Sequence, residues 1–273
     1  NTTGNTLDVA VAAGDTWMAF AGPVGTVYTR DGRMQISNTG ELQTVNGSIR
    51  INSGAVTDDA GTVNGSITVN EKATTGSLET VNGSIRLERD VTVNGSIETV
   101  NGSVHLESGV SVGDAETVNG SIKADGKLKA KSLETVNGSI RLGEQSRVGG
   151  IETVNGSVFA DRGGKVRNNV ETVNGAIGLV ATQLGGGIQT VNGDITVGIE
   201  SVVKGGIKIE KSNSWLQNKP KRDPRVIIGP NAVVEGALVF ERPVKLYVHK
   251  TARIGPVTGA TAQTFEGDTA PKE

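Results

Sequence analysis

The sequence repeats the four residues Thr-Val-Asn-Gly at an almost constant interval. The motif begins at Thr44, Thr62, Thr80, Thr99, Thr117, Thr135, Thr153, Thr172 and Thr190. Successive copies are 18 or 19 residues apart. A period this short and regular is typical of a solenoid, in which each repeat forms one coil that stacks on the coil before it. The repeat therefore constrains the architecture much more strongly than it indicates a function.

Small and aliphatic residues recur in each repeat as three pairs, and one residue separates the two members of a pair. In one repeat the pairs are Ile151/Thr153, Val158/Ala160 and Gly164/Val166. Alternation with a period of two indicates a short strand with one face turned inward. Three such strands per coil predict an all-β fold, namely a single-stranded, three-sided β-helix with coils of about 18 residues.

The inward residue of the motif is ambiguous, because strict alternation back from Ile140 would place Val136 inside and Thr135 outside. A later coil has Ile209 where the preceding coil has Thr190. We therefore favour an inward threonine, with the alternation broken at a Val-Asn-Gly corner where Asn and Gly tolerate positive φ. An outward threonine column is the alternative.

The repeat divides the chain into five segments. We expect an N-terminal capping segment with β structure at 1–41, regular coils at 42–209, a protruding basic loop at 210–225, C-terminal coils with six-residue spacing at 226–258 and a loose or only partly ordered tail at 259–273. The first coil of a solenoid needs a cap because its core and backbone would otherwise meet water. We expect Trp17, Met18 and Phe20 to plug that end.

The C-terminal coils show a six-residue spacing of inward pairs. These pairs are Val226/Ile228, Ala232/Val234, Leu238/Phe240, Val244/Leu246 and Ala252/Ile254. This spacing is similar to the hexapeptide repeat of left-handed β-helix acyltransferases. As a whole, the chain more closely resembles bactofilins, which are polymer-forming bacterial β-helix proteins, in its repeat length and its use of Val, Ile and Gly. It also resembles exported bacterial proteins of unknown function that are built on Thr-Val-Asn-Gly-Ser-Ile repeats, over about residues 42–255.

The resemblance to bactofilins implies a right-handed helix and end-to-end association through exposed terminal coils. This chain differs from bactofilins in its long cap and tail, which argue against such association. The chain begins at Asn1 and is rich in Gly, Thr, Asn and Ser. We therefore expect an exported bacterial protein, periplasmic or at the cell surface, from which an initiator methionine and a signal peptide have been removed.

Composition narrows the possible partners and chemistry. The chain has 273 residues, no cysteine and a net charge of −2. Disulfides and thiolate chemistry are excluded, and nothing in the charge balance indicates nucleic acid as a partner. No apolar run is long enough to cross a membrane, so we predict no transmembrane segment.

Stacking turns each repeated surface residue into a column. We predict that the motif asparagines form a hydrogen-bonded ladder, and that Asn94, in an off-grid copy of the motif, lies on another face. The ladder residues are Asn46, Asn64, Asn82, Asn101, Asn119, Asn137, Asn155, Asn174 and Asn192.

Two charged columns are also predicted. The residue before the motif threonine forms an acidic column of Glu79, Glu98, Glu116, Glu134, Glu152 and Glu171. The second strand forms a mostly basic column of Arg50, Thr68, Arg86, His105, Lys123 and Arg141. We interpret both as solvated surfaces that balance each other. Whether the acidic column binds cations is left open.

We expect no enzymatic activity, no cofactor and no metal site. An acyltransferase of the hexapeptide type would need a histidine as general base at a trimer interface. The candidates are His105 and His249, and we interpret each as a surface side chain with satisfied hydrogen bonds.

The basic loop is the strongest local exception to the repeat. Its candidate partner-binding residues are Trp215, Lys219, Lys221, Arg222 and Arg225. An exposed tryptophan among basic residues can hold a protein, a glycan or an anionic headgroup. Alternatively, Trp215 folds back over the side of the solenoid, and the sequence does not decide between the two.

These features predict a non-enzymatic structural or scaffolding solenoid of the bacterial cell envelope. Its expected partner is a second copy of itself or another envelope component. One alternative is an ice- or glycan-binding array on stacked Thr and Ser columns, which an outward threonine would favour. The other is the hexapeptide-type acyltransferase.

Overall fold

The computed structural model describes residues 17–20, 27–31, 33–211, 222–267 and 269–271, and it gives the backbone alone before residue 40. All regular structure in these residues is β-strand. The chain divides into two compact units, Asn1–Thr135 and Val136–Glu273. Each unit is described by itself.

The strands of the first unit are short. In chain order they are β1 Trp17–Phe20, β2 Val27–Asp31, β3 Arg33–Thr39, β4 Leu42–Asn46, β5 Ile49–Thr57, β6 Ala60–Asn64, β7 Ile67–Val69, β8 Thr74–Thr75, β9 Leu78–Asn82, β10 Ile85–Leu87, β11 Thr92–Val93, β12 Ile97–Asn101, β13 Val104–Leu106, β14 Asp114–Asn119 and β15 Ile122–Gly126. A further strand, β16 Lys129–Asn137, includes the boundary between the units.

The pairings described in the first unit are parallel and join one coil to another. The first strands of the coils form the stack β4-β6-β9-β12-β14, and the second strands form the stack β5-β7-β10-β13-β15. A shorter third stack joins β5, β8 and β11. Opposed residues such as Ile97 and Ala115 belong to successive coils. The unit is therefore a β-solenoid with three strand positions in each coil of about 18 residues, as predicted.

The pairing pattern of the coils already begins within the predicted cap. Strand β2 pairs with β4 in parallel, so that Thr29 lies opposite Thr44 and Asp31 lies opposite Asn46. Strand β1 pairs with β3, and β3 pairs with β5, in the same sense. The backbone of residues 27–31 and 33–39 thus follows the coils that succeed it. Residues 1–16 and the side chains of Trp17, Met18 and Phe20, for which a plug was predicted, lie outside what is described.

The core consists of the predicted inward pairs. In the coil that starts at Ile97, the six inward residues are all buried: Ile97, Thr99, Val104, Leu106, Val110 and Val112. The motif threonines are also buried, each at most 5% exposed, whereas the valine that follows them is exposed in most coils and half-buried in the others. The prediction that threonine points inward and that the alternation breaks at the corner is therefore confirmed.

A buried threonine hydroxyl needs an acceptor, and the motif glycine of the preceding coil supplies it. The Oγ1 of Thr117 donates to the carbonyl oxygen of Gly102 at 2.9 Å, and that of Thr153 donates to Gly138 at 3.1 Å. The same bond recurs in other coils at 2.8–3.1 Å. Leaving a buried polar group unpaired costs about 1–3 kcal/mol. Each threonine that makes this bond links its coil to the Gly of the coil before it, whereas Thr44 and Thr190 have no hydrogen-bond partner among the described residues.

The glycine is required by the close approach of successive coils. A Cβ on Gly175 would lie 1.9 Å from the carbonyl oxygen of Gly156, and one on Gly102 would lie 1.9 Å from that of Gly83. We expected the Asn-Gly corner to need positive φ, and this reason is wrong, because none of the described motif residues has it. Positive φ instead recurs at the turn after the second strand. The residues there are Lys72, Asp90, Gly109, Lys127, Gln145, Gly163, Ala181, Glu200 and Asn231.

The strands of the second unit continue the same series. They are β17 Ile140–Glu144, β18 Arg147–Asn155, β19 Val158–Ala160, β20 Lys165–Val166, β21 Val170–Asn174, β22 Ile177–Leu179, β23 Gln183–Leu184, β24 Ile188–Asn192, β25 Ile195–Val197, β26 Val202–Val203, β27 Ile207–Ile209, β28 Arg225–Ile228, β29 Val233–Val234, β30 Leu238–Phe240, β31 Lys245–His249, β32 Arg253–Ile254, β33 Val257–Thr258 and β34 Ala262–Phe265.

The second unit is also a parallel β-solenoid. Its three stacks are β18-β21-β24-β27-β30-β33, β17-β19-β22-β25-β28-β31-β34 and β18-β20-β23-β26-β29-β32. Ile195 lies opposite Val226, so the stacking resumes on the far side of the predicted loop.

One expectation for the C-terminal coils is wrong. The inward pair after Phe240 is Leu246 and Val248, which lie opposite Val226 and Ile228, rather than Val244 and Leu246. The connection is two residues longer than the six-residue spacing allows. Part of the tail is ordered, because β34 pairs with β31 and its Phe265 is buried.

Candidate functional site

The outward residues of the motif strand form a line of exposed valines, which we call the Val ridge. In the first unit its members are Val63, Val81, Val100 and Val118, each 40–41% exposed. In the second unit they are Val136, Val154 and Val173, of which Val136 and Val173 are 40% exposed. The ridge exists because the alternation breaks at the corner, which leaves Val and the following Asn both outside. Sequence reasoning placed Val outside but assigned the ridge no role.

The predicted Asn ladder is present in each unit. In the first unit the Nδ2 of Asn64, Asn82, Asn101 and Asn119 each donates to the Oδ1 of the Asn one coil earlier, at 2.9–3.0 Å. In the second unit Asn155, Asn174 and Asn192 donate in the same direction, to Asn137, Asn155 and Asn174 respectively. The ladder side chains are largely exposed, so each bond stabilises less than a buried one would. Asn94 lies at the end of β11, on another face as predicted.

A charged side chain terminates the ladder of the second unit. All ladder amides point their oxygens toward the next coil, so Asn192 presents its Oδ1 beyond the last rung. Arg242 Nη1 donates to this oxygen at 2.6 Å and to the carbonyl oxygen of Val191 at 3.1 Å. The two extra residues in the connection after Phe240 carry Arg242 there. Sequence reasoning missed this contact. Its one signal in the sequence is the break in the six-residue spacing after Phe240.

The motif serine joins the coils through its backbone. In the first unit the N–H of Ser84 donates to the Oγ of Ser66 at 3.3 Å, and Ser66 itself donates to Ser48. In the second unit the N–H of Ser157 donates to Ser139. Thr, Asn, Gly and Ser of the motif are thus all used in contacts between coils.

The acidic column lies two residues before the Val ridge. In the first unit Glu79, Glu98 and Glu116 are in register on successive coils, and in the second unit Glu152 lies opposite Glu171. Partial burial raises the pKa of Glu116, and the negative charges of Glu134, Glu98 and Asp114 raise it further. Burial and these neighbouring charges therefore disfavour the ionisation of Glu116.

The basic column is also in register, but nearby acids neutralise part of it. In the first unit Arg86 contacts Glu107, while His105 and Lys123 reach Asp125 at 3.1 and 3.0 Å. Burial by itself would raise the pKa of Asp125, but hydrogen bonds from Lys123 and His105 and their charges lower it. In the second unit the guanidinium of Arg141 lies 4.8 Å from the centre of the Phe159 ring. The column is therefore not an uncompensated cationic face.

The described end of the basic loop is tied to the solenoid by Asp194. Arg222 donates to both carboxylate oxygens of Asp194, at 2.9 and 2.7 Å, and the N–H of Arg225 donates to Asp194 Oδ1 at 2.9 Å. Burial tends to raise the pKa of Asp194, but these donors and charges outweigh it and hold the pKa below its usual range. The guanidinium of Arg225 stacks on Tyr247 and donates to the carbonyl of Pro271.

The five candidate partner-binding residues are thus only partly accounted for. Trp215, Lys219 and Lys221 lie outside the described residues, so their role stays a prediction. Arg222 and Arg225 have partners within the chain. Sequence reasoning predicted no role for Asp194, which replaces the motif serine in its coil.

Both histidines are held by hydrogen bonds. His105 is partly exposed and contacts Asp125. His249 is buried rather than on the surface, because its ring packs edge-on against Phe265 with centroids 5.1 Å apart. Its Nδ1 lies 2.9 Å from Thr251 Oγ1, and its Nε2 lies 3.2 Å from the carbonyl oxygen of Glu266.

The described residues contain no group of three or more His, Asp or Glu placed to hold a metal ion. They also include no helix able to cross a membrane. A shallow groove in the second unit runs over Gly187, Gly206 and Ala237 beside Lys208. The ammonium of Lys208 lies 2.6 Å from Glu210 and 3.4 Å from Glu241, so its charge is already paired.

Comparison with known proteins gives a partial similarity. No protein-family model and no solved structure matches the chain. A stretch of 52 residues is 44% identical to the flagellar basal-body rod protein FlgF of Mesorhizobium japonicum. The match covers 19% of this chain and 21% of that protein. The chain thus spans about a fifth of the length of the curated relative it matches.

Proposed function

We propose that this chain is a non-enzymatic structural protein, a rigid β-solenoid scaffold of the bacterial cell envelope that binds copies of itself or another envelope component. The observation that carries the proposal is how the motif is used. The buried Thr, the Gly, the Asn and the Ser each bond or pack against the neighbouring coil. In a solenoid each repeat contacts only its neighbours, so contacts between neighbouring coils determine its rigidity. A motif whose residues all make such contacts therefore stabilises a rigid structure.

The same geometry gives no support to an array of exposed threonines. The motif threonine is buried, and its hydroxyl bonds to the glycine carbonyl inside the coil stack. An ice- or glycan-binding surface built on this residue would need the hydroxyl outside. The column that reaches solvent beside it is valine.

An acyltransferase role also lacks a supporting observation. A general base must reach the proton that it removes from the substrate. The ring nitrogens of His249 face Thr251 and Glu266, beside Phe265, and His105 faces Asp125. We therefore keep the structural role as the proposal.

The partial match to a flagellar rod protein is consistent with a structural, envelope-associated role. FlgF is named as a basal-body rod protein, and the similarity to it covers about a fifth of each chain. Export to the periplasm or cell surface is part of this proposal, on the basis of the sequence composition and the resemblance to exported repeat proteins.

Two measurements test the proposed function. Antibodies against the purified chain should detect it in the periplasmic or surface fraction of the source bacterium, and amide hydrogen exchange of the purified protein should be slow in the motif strands of each unit, as a rigid scaffold requires. Detection in the cytoplasmic fraction alone, or rapid exchange in these strands, would contradict it.

A further inference from the structure

The Val ridge is the main apolar feature of the described surface. Among the large hydrophobic side chains that are exposed in the described residues, all but Val56 and Ile199 are motif valines. Parallel neighbours in a stack are roughly 4.8 Å apart, so the valines form an unbroken apolar line within each unit. Solubility does not require such a line, because threonine would suit the strand equally well. Contiguous exposed apolar surface of this kind marks an interaction site.

The ridge is flanked by columns of opposite hydrogen-bonding character. On one side, Glu98 lies two residues before Val100 on the same strand, and an ionised carboxylate only accepts hydrogen bonds. On the other side lies Asn101. Its amide nitrogen carries two hydrogens, and the ladder bond to Asn82 uses one of them. We call the Val ridge, together with the acidic column and the Asn ladder that flank it, the strip. Across the strip the order is therefore acceptor, apolar ridge, donor, and this order repeats in successive coils.

This order makes the strip complementary to itself in one orientation. If two copies face each other about a two-fold axis parallel to the coil axis, the acidic column of each copy meets the Asn ladder of the other. If the axis is perpendicular to the coil axis, acidic column meets acidic column, and like charges at close range repel. Because the spacing along the strip is the same in both copies, donors and acceptors stay matched from coil to coil.

We propose that the Val ridge with its Glu and Asn flanks is the surface through which two copies of this chain bind side by side and parallel. The inference rests on the proposed scaffold function and gives its self-association a defined surface. In the first unit the strip comprises Val63, Val81, Val100 and Val118 with Glu79, Glu98, Glu116 and the Asn ladder. Partial burial and the neighbouring negative charges raise the pKa of Glu116, and amide donors from a partner would offset part of this repulsion.

Sedimentation equilibrium over a wide range of concentration tests the surface. The disrupting variant carries V81K and V100K. These lysines lie beside glutamates, so they are compatible with the folded monomer but place charge in the apolar contact. The matched control carries T92K and S111K, at outward positions of adjacent coils on the third face. Circular dichroism verifies that both variants fold.

We expect the parent and the control to dimerise with the same affinity and the ridge variant to dimerise at least about tenfold more weakly. A parent that stays monomeric at every concentration, or a ridge variant that associates as tightly as the control, would overturn the inference. A monomeric parent found in the envelope fraction would overturn this inference alone and leave the proposed function standing. A cytoplasmic location would count against the proposed function itself.

The orientation has its own measurement. The chain has no cysteine, so a nitroxide attached after Q43C gives one label per copy, beside the first rung of the strip. In the parallel dimer the two labels lie at the same height on opposite sides of the ridge. A dipolar distance comparable to the width of the strip supports the parallel arrangement. A distance comparable to the length of the strip in the first unit would show antiparallel copies and overturn it.

Discussion

Thr153 and Gly138 are joined by a hydrogen bond from the threonine hydroxyl to the glycine carbonyl at 3.1 Å. Thr190 occupies the same position two coils later and is fully buried, yet its hydroxyl has no hydrogen-bond partner among the described residues. Replacing each threonine with valine keeps the shape and removes the hydroxyl. We expect Thr153→Val to lower the free energy of unfolding by about 1 kcal/mol, and Thr190→Val to leave it unchanged or raise it.

Urea unfolding followed by circular dichroism measures both changes. The two variants are matched controls, because the substitution is identical and both sites are buried in the second unit. Equal effects at Thr153 and Thr190 would show that the bond to the glycine carbonyl contributes nothing.

The motif glycines give a steric prediction. A Cβ on Gly175 would lie 1.9 Å from the carbonyl oxygen of Gly156, whereas a Cβ on Gly150 meets its nearest atoms at 3.9 Å. Gly175→Ala must push two coils apart, and we expect it to cost about 2–3 kcal/mol. Gly150→Ala should change the free energy of unfolding by much less. Comparable losses at the two sites would argue against close contact between coils at the Asn-Gly corner.

The Asn ladder predicts unequal deamidation. Asn155 donates to Asn137 and accepts from Asn174, and these bonds hold its amide away from the backbone attack that leads to deamidation. Asn94 is also followed by Gly, but it lies outside the ladder. After mild alkaline incubation, peptide mapping should show faster deamidation at Asn94 than at Asn155.

The ladder also predicts a modest effect on stability. We expect Asn155→Ala to cost about 1 kcal/mol, because its bonds are exposed, and Asn94→Ala to cost less. Similar deamidation rates at Asn94 and Asn155, both close to that of an unfolded peptide, would contradict the ladder.

The contact of Asp194 with Arg222 predicts a pH dependence. Because the folded-state pKa of Asp194 is lowered, its stabilising effect is complete above the pKa of the unfolded chain, near 4, and disappears as pH falls through the folded-state value. Asp194→Asn should therefore destabilise the protein at pH 7, by about 1 kcal/mol for this partly exposed pair. The difference between variant and parent should shrink below about pH 4.

Glu116 provides a comparison of opposite sign. Its pKa is raised in the folded state, so its charge opposes folding above that pKa, and the penalty vanishes below the unfolded-state value. Glu116→Gln should stabilise the protein at pH 7 and have no effect in acid. Urea midpoints at pH 7 and pH 3 measure both variants. A pH-independent difference for Asp194→Asn would refute the role assigned to its ionised carboxylate.

The repetition itself made the coils predictable from the sequence. An error of one residue in the register would have moved Ile140 and its equivalents from the core to solvent. The repeated aliphatic pairs therefore left little choice as to which residues face inward. The inward Thr could be chosen because one coil places Ile209 in the same position. These arguments need only local alternation and the comparison of one coil with the next.

Contacts that depend on the distance between coils were not accessible in this way. The sequence shows Gly102, but the reason for it is the carbonyl oxygen of Gly83, 1.9 Å from where a Cβ would lie. Arg242 reaches Asn192 from 50 residues away. The pairing of β34 escaped notice because Ala262–Phe265 contains few apolar residues. The repeat marks the position of Gly102 and is broken near Arg242, but the pattern alone does not identify the atoms that either residue contacts.

The register of one coil on the next supports every other conclusion, and spin labels test it most directly. In the first unit Glu98 and Glu116 are outward and opposed on adjacent strands, so their Cα atoms should be roughly 4.8 Å apart. With no native cysteine, nitroxides can be attached after E98C and E116C, and after E98C and K123C as a control on a different strand stack. We expect strong spin-exchange broadening for the first pair and little for the second. Equal spectra for the two pairs would contradict the coil register.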